Sequence, residues 1–520
     1  MTEIDSSNLA PAAIAPVAVA TGERSRHLLP GIVMAAVAIA TVLGATQIGG
    51  FGSLTAGCWL TFPLLLLILW TALYFEIGRR PFSLHLMHLI AVYIFLCVAP
   101  LYQTIYGLFP LQFFSHVDPD LVVRANALVL LWLVFYLSFY AIGSQRSSRR
   151  LEGRESRFER IVPRWRIDGS LLLSFGVMGY LAVLGLAGVA TRSDAFEAVS
   201  SSASGPLTLI NNQFVRAFPV VALGAGLLLV TRSFRKTALF SGPLVLICLV
   251  GNLYANNPIA AARYWTVAVI VGLAAPHVLQ RRRTGTLMLA SALVGLAVLP
   301  GLGAAREARN LSEVFYYVRE IPPPQMYLAH SGDADAYGML VLVLRYVDRD
   351  GLRLGQQVLG ALLFWVPRSM WESKPIETGG FVAARFGFDY NNVAAPIVAE
   401  CYVDFGWIGV PIFAALFGLA LAHFDTAFWK RVDARPTTVR SGDTLYPFLL
   451  GMVIFITRGA LISSVAYTLG FTAAALLPFF VGLGRSRSRT APVGQPYPAL
   501  AGADDLAESS GSVRPAARGG

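Results

Sequence analysis

Charge is scarce in this chain. Of its 520 residues, Asp and Glu account for 30 and Lys and Arg for 41, so charged residues make up 14% against 55% hydrophobic. A soluble chain carries about 25% charged residues. The shortage, with a mean hydropathy of +0.60, excludes a soluble globular protein and points to a polytopic, all-α membrane protein. Cysteine is nearly missing as well. Cys58, Cys97 and Cys248 lie inside apolar runs and Cys401 stands alone. None has the spacing of a zinc site or a disulfide framework, so all four read as small buried hydrophobes. A G-x-x-x-x-G-K-[ST] segment is absent, which argues against P-loop ATP hydrolysis, and so is the H-E-x-x-H zinc pattern. No acidic or histidine-rich cluster suggests a metal, and no cofactor is expected. The N-terminal stretch is rich in Ala and Pro and carries Glu3 and Asp5, unlike the basic-then-apolar order of a secretory signal. No internal repeat is visible, which weakens a transporter interpretation.

What the chain has instead is apolar runs close to the ~20 residues that cross a bilayer. About twelve are legible, near 28–49, 55–76, 84–104, 121–143, 169–190, 211–230, 238–255, 263–280, 286–303, 405–429, 445–463 and 465–484. Every even-numbered run ends in a basic loop: "GRRPF", a 22-residue loop with eight arginines, "TRSFRK", "RRRTG", "KRVDARPTTVR" and "RSRSR". The short odd-numbered connections carry far less positive charge. The positive-inside rule then predicts cytoplasmic termini. The net charge of +11 accordingly marks topology and does not imply nucleic acid as a partner. Residues 1–27 and 485–520 are small, polar or Pro/Gly-rich and are expected to be disordered cytoplasmic tails.

One connection is long. Residues 304–404 separate the nine runs of 28–303 from the three of 405–484, and parity puts them on the outer side. They hold nine basic and twelve acidic residues. Within them "YGMLVLVLRYV" and "LGQQVLGALLFWV" are too short to span and suit interfacial or re-entrant helices. The stretch is expected to form a folded cap at the outer face.

Cations at the edge of a membrane are candidates for function. On the predicted outer side these are Arg216, Arg263, Arg306, Arg309, Arg345, Arg368, Lys374 and Arg458. Guanidinium groups grip phosphate through a planar fork and stay charged when partly desolvated, so such a set suits a lipid-linked diphosphate. Taken singly, each also fits a residue that pairs with a carboxylate or snorkels to headgroups. Glu400, in "IVAECYVDFGWIG", is the favoured general base because it lies at the membrane edge. His330, in "LAHSGDAD", is a second candidate and Asp404 a third. Asp194, Glu197, Asp333, Asp335, Asp348, Glu372 and Asp389 are further carboxylates on this side. Trp371 and Trp365 suit sugar stacking or the membrane interface. Gly406 and Gly409 are expected to let the tenth run pack closely against a neighbour.

Three pieces carry a resemblance: "PRSMWESKP" (367–375), with its Pro-Arg, Trp and Lys-Pro elements, "AECYVDFGWIG", and "AARYW", where Arg263 opens a run. Over roughly residues 28–484 the chain resembles bacterial oligosaccharide repeat-unit polymerases, the O-antigen polymerase group. The resemblance implies a GT-C-like membrane glycosyltransferase of the bacterial inner membrane. Its substrates would be undecaprenyl-diphosphate-linked oligosaccharides, and its partners the bilayer, a flippase and a chain-length regulator. No metal is implied. Arg263, Arg368 and Lys374, with Arg345, would hold the donor diphosphate, joined by Arg216, Arg306 and Arg458. Glu400 or His330 would handle the acceptor hydroxyl, and Trp371 and Asp404 would meet sugar. An O-antigen ligase and a lipid-linked oligosaccharide flippase remain open as rivals.

Overall fold

A backbone surrounded by lipid has to satisfy its own N–H and C=O groups, which makes helices the natural form for such runs. In the computed structural model of the chain, the regular structure among the described residues is helical, with one isolated β-bridge between Ile161 and Arg440. The structure describes residues 19–49, 51, 54–107, 109–110, 118–151, 161–187, 211–232, 241–257, 260–279, 300–301, 311–390, 393–433 and 438–480. Arg306, Arg309, residues 485–520 and all but 300–301 of the ninth run lie outside them.

In chain order the helices are α1 (Val19–Ile48), α2 (Ala56–Arg79), α3 (Leu84–Tyr106, with a π turn at Ile94–Val98), α4 (Pro119–Leu151), α5 (Arg164–Val183), α6 (Ala217–Arg232, after a π turn at Asn211–Val215), α7 (Ser241–Ala255) and α8 (Arg263–Leu279). There follow α9 (Leu311–Arg319), α10 (Pro324–His330), α11 (Ala336–Asp350), α12 (Gln356–Leu362), α13 (Thr378–Arg385), α14 (Ile397–Asp433), α15 (Ser441–Arg458) and α16 (Leu461–Phe480). Among the described residues six segments are long and apolar enough to cross a membrane: Pro30–Ile48, Ala56–Arg79, Leu84–Tyr106, Pro119–Arg150, Arg164–Val183 and Ile397–Val432. Ala217–Arg232, Ser241–Ala255 and Leu461–Leu477 are shorter apolar helices. Large side chains such as Leu60, Leu67, Leu172, Leu246, Ile408 and Leu416 stay exposed on these helices, as on a surface that meets lipid. The chain is a multi-pass, all-α membrane protein.

Within the bundle α14 packs along α4, α8 along α15, and α5 against α6 and α7. A buried carboxylate ties four helices together. Asp425 of α14 accepts hydrogen bonds from the Leu84 and His85 amides at the start of α3 (2.8 and 3.1 Å), from Tyr140 Oη of α4 (2.9 Å) and from Tyr446 Oη of α15 (2.5 Å). A negative group at a helix N-terminus meets the free amides and the positive end of the dipole.

The long connection is more deeply built into the protein than an external cap. Helix α11 has 15 residues, about 22 Å of helix and short of the ~30 Å hydrocarbon core. Tyr337 and the run Met339–Leu344 are at most 1% exposed. Tyr337 Oη reaches α4, at Val122 O (3.0 Å) and Asn126 Oδ1 (2.7 Å). The segment is apolar because it faces other helices.

Helix α14 already begins at Ile397, so Glu400 and Asp404 sit in its first turns, ahead of the apolar run read from 405. The break between the two parts is Gly406, at φ 61° and ψ −149°, a conformation essentially restricted to glycine. Gly406 therefore bends the chain where close packing was expected.

Candidate functional site

The segment Ser331–Asp335 is a tight acidic turn between α10 and α11. Ser331 Oγ accepts from the Asp333 amide (3.1 Å), which starts the single 3₁₀ turn Gly332–Ala334. Gln103 of α3 fastens the turn to the bundle by donating to Leu328 O (3.1 Å) and Ala334 O (2.9 Å). The side chains of Asp333 and Asp335 then face two different arginines.

Arg458 is the last residue of α15. Its Nη2 meets Asp335 Oδ1 at 2.7 Å, its Nε donates to Asp333 O at 2.9 Å, and its guanidinium lies 5.0 Å from the ring centre of Tyr264 and 5.6 Å from that of Phe95. Side-chain exposure is 8% for Arg458 and 3% for Asp335. Burial pushes the Asp335 carboxyl upward, while the Ala394 amide (3.2 Å) and the guanidinium favour the anion. Gly459 fixes the direction in which Arg458 leaves the helix. Its φ is +112°, and a Cβ there would lie 1.8 Å from Ala395 O, so no other residue fits.

Arg263, the first residue of α8, forms an ion pair with Asp333 Oδ2, which also accepts from Tyr327 Oη at 2.5 Å. This pair is far more open, at 30% for Arg263 and 31% for Asp333. Burial and the Asp333 carboxylate push the Tyr327 hydroxyl up to about 12, so it keeps its proton and donates it. Arg216 joins from the start of α6: its Nε donates to Asn256 Oδ1 (2.9 Å), which also accepts from Trp265 Nε1 (3.3 Å) in the first turn of α8.

These groups share one end of the bundle. Helix α15 has 18 residues, about 27 Å. Its far end carries Asp443, paired with Arg232 (2.8 Å) and Arg431 (3.3 Å) from two of the basic loops. Three of the arginines singled out from the sequence, Arg216, Arg263 and Arg458, thus gather at the end opposite those loops.

"PRSMWESKP" forms its own small turn. Helix α12 ends at Leu362, ahead of Pro367. Arg368 Nη1 donates to Lys374 O at 2.8 Å, and Lys374 Nζ donates to Phe364 O and Val366 O. Burial, and then the neighbouring Arg368, lower the Lys374 ammonium below its ordinary value. Trp371 Nε1 donates to Ser373 Oγ (3.1 Å). Phe364 stacks on Phe214 (5.8 Å between centroids), which brings the loop to the π turn that precedes Arg216.

The other sequence candidates have different surroundings. Both oxygens of Glu400 are engaged, one by Thr378 Oγ1 and one by the Leu461 amide at 3.1 Å, so it clamps α13, α14 and α16 together. Asp404 caps α12 through the amides of Gln357 (3.2 Å) and Val358 (2.8 Å). His330 is exposed and packs edge-on against Tyr106, 4.2 Å between centroids. Arg345 is exposed on α11, just after its buried stretch Ala336–Leu344. In "LAHSGDAD" the sequence singles out His330, whereas the residues that meet arginine there are Asp333 and Asp335. Tyr327 and Tyr264 carried no signal at all.

Behind Arg458, His88 braces α15. Trp132 Nε1 donates to His88 Nε2 (3.1 Å), and His88 Nδ1 lies 2.8 Å from Thr457 Oγ1. An indole N–H only donates, so Nε2 is the acceptor and Nδ1 carries the proton.

Fold and site together define a multi-pass helical membrane protein with an arginine-rich polar site at one end of its bundle. No described family, curated protein or solved structure matches the chain.

Proposed function

We propose that this chain polymerises lipid-diphosphate-linked oligosaccharide repeat units at the outer face of a bacterial inner membrane. In this reading it has twelve spans, a GT-C-like architecture and cytoplasmic termini. The observation that carries the reading is the convergence of Arg263 and Arg458 on one acidic turn, at the end of the bundle away from the basic loops. A diphosphate needs preorganised cations that stay charged near lipid, and guanidinium groups meet that need. Arg216 lies at the same end, and Phe364 brings Arg368 and Lys374 toward it. A donor already activated as a diphosphate ester requires no ATP motif. A growing glycan would leave its lipid diphosphate and pass to the terminal sugar of a new lipid-linked unit.

The test is elongation in proteoliposomes supplied with undecaprenyl-diphosphate-linked repeats and no ATP. Wild-type protein should build a ladder of products, and Arg263→Gln should leave single repeats. Absence of any ladder from the wild type would overturn the reading. Movement of the lipid-linked glycan across the bilayer without elongation would indicate a flippase. Transfer of preformed long chains to a lipid A acceptor without elongation would indicate a ligase.

A further inference from the structure

Two cations and two carboxylates meet at the turn, so the paired groups carry no net charge with which to hold an anion. An incoming diphosphate therefore has to take the place of one carboxylate. Burial decides which. The Arg458–Asp335 pair is 8% and 3% exposed, and breaking a buried pair leaves an uncompensated charge. The Arg263–Asp333 pair is 30% and 31% exposed, so water and ligand oxygens can replace either partner at little cost. The backbone of the turn need not move, because Arg458 Nε holds Asp333 O and Gln103 holds Ala334 O. Only the Asp333 side chain swings.

We infer that Asp333 is the general base of the transfer, and that the donor diphosphate releases it for that task by displacing it from Arg263. The inference rests on the polymerase reading above and deepens it. In the step, an acceptor hydroxyl oxygen attacks the anomeric carbon of the donor glycan and forms the new C–O bond. The bond from that carbon to the diphosphate oxygen breaks, and its electron pair leaves on the lipid diphosphate. The charge gained there is held by Arg263, with Arg458 behind it. The hydroxyl proton goes to the Asp333 carboxylate, which later returns it to water. Tyr327, donating to the same carboxylate, orients it. A protein without bound donor would keep its base sequestered on Arg263, so an acceptor arriving first finds none.

The experiment compares full-length wild type, Asp333→Asn and Asp333→Glu in nanodiscs, measuring binding of undecaprenyl diphosphate and elongation of lipid-linked repeats. Asparagine removes the competing charge and the base at once. Asp333→Asn should bind undecaprenyl diphosphate about fivefold more tightly than wild type. It should elongate at least about 100-fold more slowly. Asp333→Glu should retain measurable elongation, which separates loss of the base from loss of the fold. Elongation by Asp333→Asn at the wild-type rate, or binding no tighter than wild type, would overturn the inference while leaving the polymerase reading intact. A wild type that neither binds undecaprenyl diphosphate nor elongates overturns both.

Discussion

Arg458–Asp335 and Arg263–Asp333 are neighbours with the same chemistry, and burial separates their roles. Removing one partner of a buried pair leaves a desolvated charge and costs about 3–5 kcal/mol. Asp335→Ala should therefore lower the thermal midpoint in detergent sharply. The double variant Asp335→Ala with Arg458→Met should regain most of that loss, because no charge is then left behind. A wild-type midpoint for Asp335→Ala alone would show that Arg458 is neutralised some other way. Glu400 follows the same logic. It reads as a base in a sequence because it is acidic and near a membrane edge, yet both its oxygens are committed to Thr378 and Leu461. An acid at a boundary serves as readily for capping as for catalysis, and hydropathy does not distinguish the two.

Helix α11 leads out of the acidic turn and packs on α4 and α14, and the joints of these helices make separate predictions. Gly406 bends α14 at a φ/ψ of 61° and −149°. Gly406→Ala should destabilise by about 1–3 kcal/mol, since a side chain is strained in that region. An unchanged midpoint would mean that α14 relaxes into a straight helix and carries Glu400 away from the Leu461 amide. At the C-terminal end of α11, Arg124 grips Asp348 through two hydrogen bonds of 2.6 and 2.8 Å. The guanidinium holds the Asp348 carboxyl below its usual range. Both side chains are more than a third exposed, so solvent limits the pair to below ~1 kcal/mol. A depressed carboxylate stabilises fully above its unfolded value of ~3.9 and loses that contribution as pH falls through its folded value. Arg124→Gln should thus lower the midpoint by about 1–3 °C at neutral pH. The gap should close below about pH 3, and a gap that persists there would rule out the ion pair as its cause.

The molecule as a whole has two charged ends. One gathers Arg232, Arg431 and Asp443, and the other Arg216, Arg263, Arg458 and the acidic turn. On the proposed orientation the first end faces the cytoplasm. The four native cysteines are buried, so an introduced cysteine can be labelled cleanly with a membrane-impermeant maleimide. Ser369→Cys, in an exposed stretch of the site end, should label on intact cells stripped of their outer membrane. Ser148→Cys, exposed in the arginine-rich end of α4, should label only after permeabilisation. The reverse pattern would invert the topology and remove the outer-face polymerase reading.

Hydropathy and charge sum along the chain and depend on near neighbours alone. For that reason composition and apolar runs were enough to establish the membrane class and the helical build. Helix starts were harder: Glu400 and Asp404 hid the first turns of α14, because polar groups satisfied inside the protein look like a loop from outside. The short apolar α11 was legible as non-spanning, but its burial among α3, α4 and α14 was not. Ion pairs are harder still. Arg263 meets Asp333 across 70 positions and Arg458 meets Asp335 across 123. Many carboxylates were available to each arginine. The choice was made where the acidic turn docks on Gln103 and where Gly459 directs α15 against Ala395. Such contacts arise from packing between distant segments, and no local pattern of residues encodes them.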